Sequence, residues 1–504
     1  MADYIIKTFL KIYCVICCAI FIIGYFYGCA SSLYGNFSVH QFIFHVAAIN
    51  TLSLSKTVIA TILVPFCLSV GFILFAVKQP LRCLSRYLSD AKIKYWTRHK
   101  MLLSFLTSTV AALLGILIVW FMSADSLSQI IKQAKYTYAL IYKPAPYDTL
   151  IDDNFANPTD LHIRLKTPHN LIIVFAESLE RTFTDNTIFG QNLLPNLLSQ
   201  NGTSVRGYTK LSETDWTFAG ITASLCGLTS KQYFPPRKLS DNIICISDIM
   251  AQNGYNLLYL QGSSLQFVDT RHFFEIHHFN EVTGIENLPQ NNTGKLSSYK
   301  LESDKLFSVN FIGDILDDAE LLQIFRRKIE HLAQQSAPFT AIAMTMNTHP
   351  YHGYTSPNCT KKYHDMRDAV LCSDSQLGDF VEWFKTQDFA TDTTLIILGD
   401  HLMMFNDVQK YLDKAKNRET LNLIWGYAAP KTDIVKPFNQ FDWAPTLLEM
   451  AGFEWNERKF GLGTSLLSTQ KTLQEIYKDT LDKRLLNNSK LYEKLIFEQK
   501  TENQ

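Results

Sequence analysis

Residues able to do covalent or metal chemistry gather at a few places in this chain. The stretch Leu211 to Gly227, LSETDWTFAGITASLCG, opens with good capping side chains (Ser212, Glu213, Thr214) and then runs small and apolar. It reads as a loop turning into a buried helix, a junction where unpaired N–H groups and the positive end of the helix dipole favour a bound anion. Thr214 is therefore placed to attack phosphorus or sulfur, although Thr214 or Ser212 would serve equally as a plain N-cap. The other candidates follow short apolar runs: Glu177 and Ser178 after NLIIVFA, Asn347, Thr348 and His349 after FTAIAMTM, and Asp400 and His401 after TTLIILG. Glu177, Asp400 and His401 with the Thr214 hydroxyl form an oxygen and nitrogen ligand set for a single divalent cation. Such an ion would lower the hydroxyl pKa and neutralise charge on a transferring phosphoryl group. Taken singly, Glu177 and Asp400 also suit helix-start acids, and His349 a hydrogen-bonded loop imidazole.

Positioning these groups requires a sheet. From His169 onward the pattern is strand, loop, helix, repeated, with NLIIVFAES, NLLYLQG, FTAIAMTMNTH and TTLIILGDH as short apolar strand runs ending in polar residues. Between them lie the helical stretches ISDIMAQNG, KLFSVNFIGDILDDAELLQIFRRKIEHLAQQ and SDSQLGDFVEWFKT. Fully apolar strands alternating with helices predict an α/β fold with a mostly parallel sheet covered on both faces. Ligands in such sheets bind beyond the carboxyl ends of the strands, where the acids and imidazoles fall.

The 504 residues carry 47 Lys and Arg against 47 Asp and Glu, so no global charge draws the chain to nucleic acid. Apolar residues are concentrated at Phe9 to Ala30, Val58 to Val77 and Met101 to Met122, nearly uncharged runs of about 20 residues that predict three transmembrane helices. Phe42 to Leu54 is apolar but short, and reads as interfacial or loop. The segment Lys78 to Lys100 is strongly basic, whereas Ser31 to Thr57 holds only Lys56. The former is expected on the cytoplasmic side, which places the chain after residue 123 outside the membrane. A proline-punctuated juxtamembrane neck (124–165), an extracytoplasmic catalytic domain (166–470) and an amphipathic helical tail (471–504) complete the expected organisation.

Past the third span the cysteines are Cys226, Cys245, Cys359 and Cys372. Their even number in an oxidising compartment points to disulfides, and the short-loop pairing of Cys226 with Cys245 and of Cys359 with Cys372 is the expected one among several that sequence leaves open.

Several motifs together resemble the sulfatase and alkaline phosphatase superfamily: a strand leading into Glu177, Pro195-Asn196-Leu197 before a helix, Gly399-Asp400-His401, and DWAPTLLEMAG from Asp442 to Gly452. Within it, ESLERTF (from Glu177), TDWTFAG followed by SLCG, QGSSL (from Gln261), Thr348-His349-Pro350 and GDHLMMFN (from Gly399) look most like the membrane-bound phosphoglycerol transferases. The resemblance covers residues 170 to about 470 and implies a bacterial inner-membrane enzyme with its catalytic domain in the periplasm. It implies Glu177, Thr214, Asp400 and His401 around one metal (manganese, magnesium or zinc), Thr214 as nucleophile, and His349 as a substrate-phosphate contact. The implied reaction moves phosphoglycerol from phosphatidylglycerol to an envelope glycan through a covalent threonine intermediate. Phosphoethanolamine transfer to lipid A or another glycan is the alternative within the family, and a silent membrane scaffold or glycan-binding protein the alternative outside it. Sulfate-ester hydrolysis is disfavoured, because Thr stands where sulfatases carry an oxidised Cys or Ser and no C-x-P-S-R motif follows. Thr217 is the second candidate nucleophile, about a turn into the predicted helix, where a hydroxyl more often bonds back to a carbonyl. Gln266 stands where the family has a basic residue, from which either a headgroup contact passed to Arg271 or a different substrate is expected. The chain also ends earlier than the enzymes it resembles, from which a shorter acceptor surface is expected.

Overall fold

In the computed structural model the described residues are 145–230, 242–288, 298–299, 315–350, 352–404 and 406–497. The three expected spans, the 42–54 stretch and residues 124–144 of the neck lie outside them. Among the described residues no helix is long and apolar enough to cross a membrane.

The central element is an eight-stranded sheet. Its strands are β1 (Asn170–Ala176), β2 (Thr203–Tyr208), β3 (Asn256–Gln261), β4 (Glu281–Thr283), β5 (Phe339–Met344), β6 (Thr393–Gly399), β7 (Asn422–Gly426) and β8 (Ile434–Phe438). They lie in the order β8-β2-β7-β6-β1-β5-β3-β4. β1 runs parallel to both β5 and β6, β3 is parallel to β5 and β4, and β8 is parallel to β2; β7 alone is antiparallel to its neighbours. The sheet is thus mixed and mostly parallel.

Burial on both faces explains why these strands read as unbroken apolar runs. In β1, Leu171, Ile173 and Phe175 join one hydrophobic core, and Ile172, Val174 and Ala176 the other. The first core is covered by α2 (Thr217–Cys226), α3 (Ile246–Gln252) and α6 (Trp443–Met450), and the second by α4 (Asp318–Ala333) and α5 (Met366–Lys385). Helix α1 (Leu150–Asn154) adds Leu150 and Ile151 to the first core.

Two expected helices have different starts. α4 begins only at Asp318, because the Asp317 side chain accepts from Ala319 N at 2.9 Å and caps it there, and Ile315–Leu316 is a short strand. α5 begins at Met366, ahead of the expected Ser373, with Asp365 capping Arg367 N at 3.0 Å. The tail is three short helices, α7 (Leu473–Tyr477), α8 (Leu481–Leu485) and α9 (Lys490–Phe497), in place of one long one. Lys478, at φ +48°, ends the first of them. Leu473, Leu481, Leu485 and Tyr492 pack into the same core as α1.

Both expected disulfides are present. Cys226–Cys245 ties the end of α2 to the start of α3, and Cys359–Cys372 ties the loop after β5 to α5.

Candidate active site

The carboxyl ends of β1, β5 and β6 deliver Glu177, the 345–349 loop and Asp400-His401 to one place, as adjacent parallel strands must. All of Glu177, Asp400 and His401 are fully buried. The Glu177 backbone is held by the next strand's loop: its N–H donates to Thr345 Oγ1 at 3.0 Å, and its carbonyl accepts from the Thr348 hydroxyl. Ser178 turns the chain in a left-handed conformation, φ +52°, which directs its N–H to Asp400 Oδ1 at 2.8 Å and its hydroxyl to Glu177 Oε1 at 2.6 Å. His401 N also donates to Asp400 Oδ1, at 2.9 Å.

The free ends of these side chains face one another. One ligand atom each of Glu177, Asp400 and His401 lie within 4.8 Å of each other. His401 Nε2 is 3.3 Å from Asp400 Oδ2 and 3.5 Å from Glu177 Oε1. Its Nδ1 lies 2.9 Å from Leu402 O, and a carbonyl only accepts, so the proton of the neutral ring is on Nδ1 and the Nε2 lone pair points at the acids. Asp400 Oδ2 accordingly is buried without a hydrogen-bond partner. Two buried carboxylates and an imidazole lone pair converging, with only the Ser178 and Thr217 hydroxyls against them and Asp400 Oδ2 unpartnered, are a poor apolar core and a good cation cradle. The set fits a divalent cation by donor chemistry, all oxygen and nitrogen.

The charges agree. Burial, and then the charge on Glu177, push the Asp400 carboxyl up to about 7. At His401 burial opposes protonation, but the Asp400 and Glu177 carboxylates outweigh it and the pKa is raised. His349 is lowered, chiefly by burial; its Nδ1 donates to Pro350 O at 2.7 Å, and the charges of both Glu177 and His401 act on it.

The hydroxyl beside this cluster belongs to Thr217, not to Thr214. Helix α2 starts at Thr217 with Trp216 as N-cap, three residues beyond Thr214. Thr217 Oγ1 is 3.2 Å from Glu177 Oε2 and 3.3 Å from His401 Nε2. Thr214 is buried in the preceding turn and its hydroxyl donates to Leu211 O at 3.4 Å, the back-bonding that the sequence suggested for Thr217. The correction follows from Ser212, which is taken up by the tail: its N–H and hydroxyl bond Asp482 at 2.8 and 2.7 Å, so the expected cap is spent before the helix begins. Gly220, one turn after Thr217, lets α2 lie against the end of β6; a Cβ there would stand 2.2 Å from Asp400 O.

Arg271 does not join the cluster. Its guanidinium bonds Asn287 Oδ1 at 2.6 Å and lies 3.6 and 3.8 Å from Glu275 and Glu286. Ser178 and Thr348, two of the strand-end candidates, join the site, and Thr345 and Gln440 are site residues that sequence reasoning missed; Gln440 Nε2 holds the Asp400 carbonyl at 3.0 Å. Cys226, Cys245 and His277 also converge, but the two sulfurs are spent on their disulfide.

The family model for Sulfatase matches residues 169–453, from the start of β1 past α6, a range that holds Glu177, Thr217, His349, Asp400 and His401. The chain belongs to the sulfatase family. Among curated relatives, this sulfatase-family chain is 29% identical over 342 residues to phosphoglycerol transferase I of Salmonella agona (strain SL483), covering 63% of the chain and 42% of that protein. It is 29% identical over 338 residues to phosphoglycerol transferase I of Escherichia coli O6:K15:H31 (strain 536 / UPEC), covering 63% and 41%. The chain thus spans about two-fifths of the length of these relatives. Among solved structures, a protein in the alkaline phosphatase superfamily from Vibrio parahaemolyticus aligns at TM-score 0.48 and 21% identity, covering 62% of this chain and 72% of that one. The lipoteichoic acid synthase LtaP from Listeria monocytogenes aligns at TM-score 0.46 and 17% identity, covering 61% and 79%.

Proposed function

We propose that this sulfatase-family protein is a membrane-anchored phosphotransferase that moves phosphoglycerol from phosphatidylglycerol to a glycan of the bacterial cell envelope, working on the periplasmic side of the inner membrane. The observation that carries the reading is the Thr217 hydroxyl at the start of α2, 3.2 Å from Glu177 and 3.3 Å from His401. The similarity to phosphoglycerol transferase I supplies the headgroup.

Glu177, Asp400 and His401 would hold one divalent cation, which when bound supplies positive charge that favours loss of the threonine proton and offsets charge on the phosphoryl oxygens. Thr217 Oγ1 attacks the phosphorus of the lipid phosphodiester; the bond from phosphorus to the diacylglycerol oxygen breaks, and that oxygen leaves with a proton as diacylglycerol. The second half repeats the displacement: a sugar hydroxyl attacks the threonine phosphodiester, and Thr217 regains its proton. His349, whose Nδ1 donates to Pro350 O, donates from Nε2 to the substrate phosphate only as the protonated imidazolium. Placement of these groups on strand ends supplies orientation, the chief requirement of phosphoryl transfer. Thr214 keeps a structural place in the turn before α2.

The test is to give the purified full-length protein vesicles containing headgroup-labelled phosphatidylglycerol or phosphatidylethanolamine, with Mn2+ and an oligosaccharide acceptor. Diacylglycerol release and acceptor labelling from phosphatidylglycerol are expected. Turnover of phosphatidylethanolamine alone would move the assignment to phosphoethanolamine transfer, and turnover of neither lipid would overturn it.

A further inference from the structure

The peptide unit joining Leu402 to Met403 is hydrogen-bonded at both ends. Its carbonyl, Leu402 O, accepts from His401 Nδ1 at 2.9 Å. Its N–H, on Met403, donates to Glu180 Oε2 at 3.2 Å. Glu180 lies three residues past Glu177 and is fully buried. Both of its oxygens accept from Arg418 Nε at 3.0 Å, and Arg418 Nη2 pairs with it as well. That same Nη2 donates to Met403 O at 2.6 Å, so both polar backbone groups of Met403 are gripped by one ion pair. The surrounding backbone stiffens the arrangement: Arg181 N donates to Glu419 O at 2.8 Å, Leu421 N to Leu179 O at 3.0 Å, and Gly399 N to Leu421 O at 2.8 Å.

The chain of contacts therefore runs from carboxylate to peptide N–H, through the amide to its carbonyl, and on to the imidazole whose far nitrogen faces Glu177 and Asp400. A carboxylate accepting from an amide N–H makes the carbonyl of that amide a better acceptor. A better acceptor at Nδ1 fixes the ring's tautomer and orientation and makes Nε2 a stronger donor to a metal. In metal sites a carboxylate usually does this by touching the histidine directly; here a peptide group stands between them.

We infer that Glu180, held by Arg418, is a positioning residue for the cation site, acting on His401 Nε2 through the Leu402–Met403 peptide. The inference rests on the reading of Glu177, Asp400 and His401 as cation ligands. A purely structural role for the ion pair predicts something else: lost stability with an unchanged affinity for the ion.

The experiment compares Mn2+ binding by full-length wild type, Glu180→Gln, Arg418→Lys and His401→Ala, using calorimetry or equilibrium dialysis, with the thermal transition of each metal-free protein alongside. Glu180→Gln is expected to weaken Mn2+ binding about 10- to 100-fold, the usual effect of removing a partner behind a metal-bound imidazole. Arg418→Lys keeps a cation against Glu180 but loses the planar fork, and is expected to fall between wild type and Glu180→Gln. Affinities within twofold of wild type in both variants, whatever their melting temperatures, would overturn the inference. Should Glu180→Gln fail to fold, Arg418→Lys decides alone: weakened binding supports the positioning role and unchanged binding removes it. Failure of the underlying site shows differently, as a wild type that binds no Mn2+ or one that His401→Ala does not impair.

Discussion

The Thr217 hydroxyl lies 3.2 Å from Glu177 Oε2, although 40 residues separate the two along the chain. The first residue of a buried helix is thereby brought against the end of the central strand of a parallel set. Thr217→Ala should leave a folded protein whose turnover falls by about a thousandfold or more, as for loss of a nucleophile. Thr214→Ala should cost about 1 kcal/mol of stability for its hydrogen bond and leave turnover within a small factor of wild type. Steady-state release of diacylglycerol from phosphatidylglycerol measures both, and the reverse ranking would return the role to Thr214.

The burial of Asp400 beside Glu177 gives the free site a definite pH dependence. The carboxyl is raised from 3.8 to about 7, so the stability linked to it is fully present below the unfolded value and is lost as pH rises through about 7. Asp318 and Asp442, both buried, are raised to about 7 as well and act in the same direction. Metal-free protein should therefore melt at lower temperature as pH rises from about 4 to about 7. Cation binding must displace the Asp400 proton, so Mn2+ affinity should increase with pH and level off above about 7. Thermal scans and titrations with and without Mn2+ across this range check both; an affinity independent of pH would contradict the assignment of Asp400 as a ligand.

Gly220 makes the approach of α2 to β6 possible, with a built Cβ meeting Asp400 O at 2.2 Å. Gly220→Ala must push the helix or the Asp400 backbone away, at about 1–3 kcal/mol as for overpacking elsewhere. The melting temperature should fall, and because Thr217 and Asp400 ride on the displaced elements, Mn2+ affinity and turnover should fall with it. A variant with wild-type stability and turnover would show that the contact is not tight.

The tail is fastened to α1's approach by Arg484, whose Nε lies 2.9 Å from Asp148 Oδ2. The Arg484 guanidinium holds the Asp148 carboxyl far below its ordinary value, so this contribution is present above about pH 4 and is lost as pH falls further. The pair is partly open to solvent, which limits it to about 1 kcal/mol. Asp148→Asn should speed amide hydrogen exchange in residues 473–497 relative to the sheet at neutral pH, with little effect on Glu177, Asp400 and His401. Identical exchange in variant and wild type would contradict the docking.

Much of this was legible in sequence because the β1, β3, β5 and β6 runs are apolar on both faces and end in polar residues with side chains fit for catalysis. Glu177 could be paired with the adjacent Asp400 and His401 on that basis, though nothing local joins it to them. The helix start was misread by one turn for a physical reason: Ser212, Glu213 and Thr214 have capping chemistry, yet Ser212 is bonded to Asp482, which lies far along the chain in a tail that looked separate. A usable signal was present in Gly220. A glycine inside an apolar helix marks a close backbone approach, and Thr217, three residues earlier, lies on the same face. Thr345 was invisible, and Ser178 and Thr348 had a place at the strand ends but no role, because their bonds to Glu177 and Asp400 depend on strand register alone.

The central claim is that Thr217 carries the transferred group. Full-length protein incubated with phosphatidylglycerol, Mn2+ and no acceptor, then acid-quenched, digested and analysed by tandem mass spectrometry, tests it directly. A phosphoglycerol adduct is expected on the peptide containing Thr217, with fragment ions placing it on that residue and none on Thr214. An adduct on Thr214, or diacylglycerol release with both threonines unmodified, would contradict it.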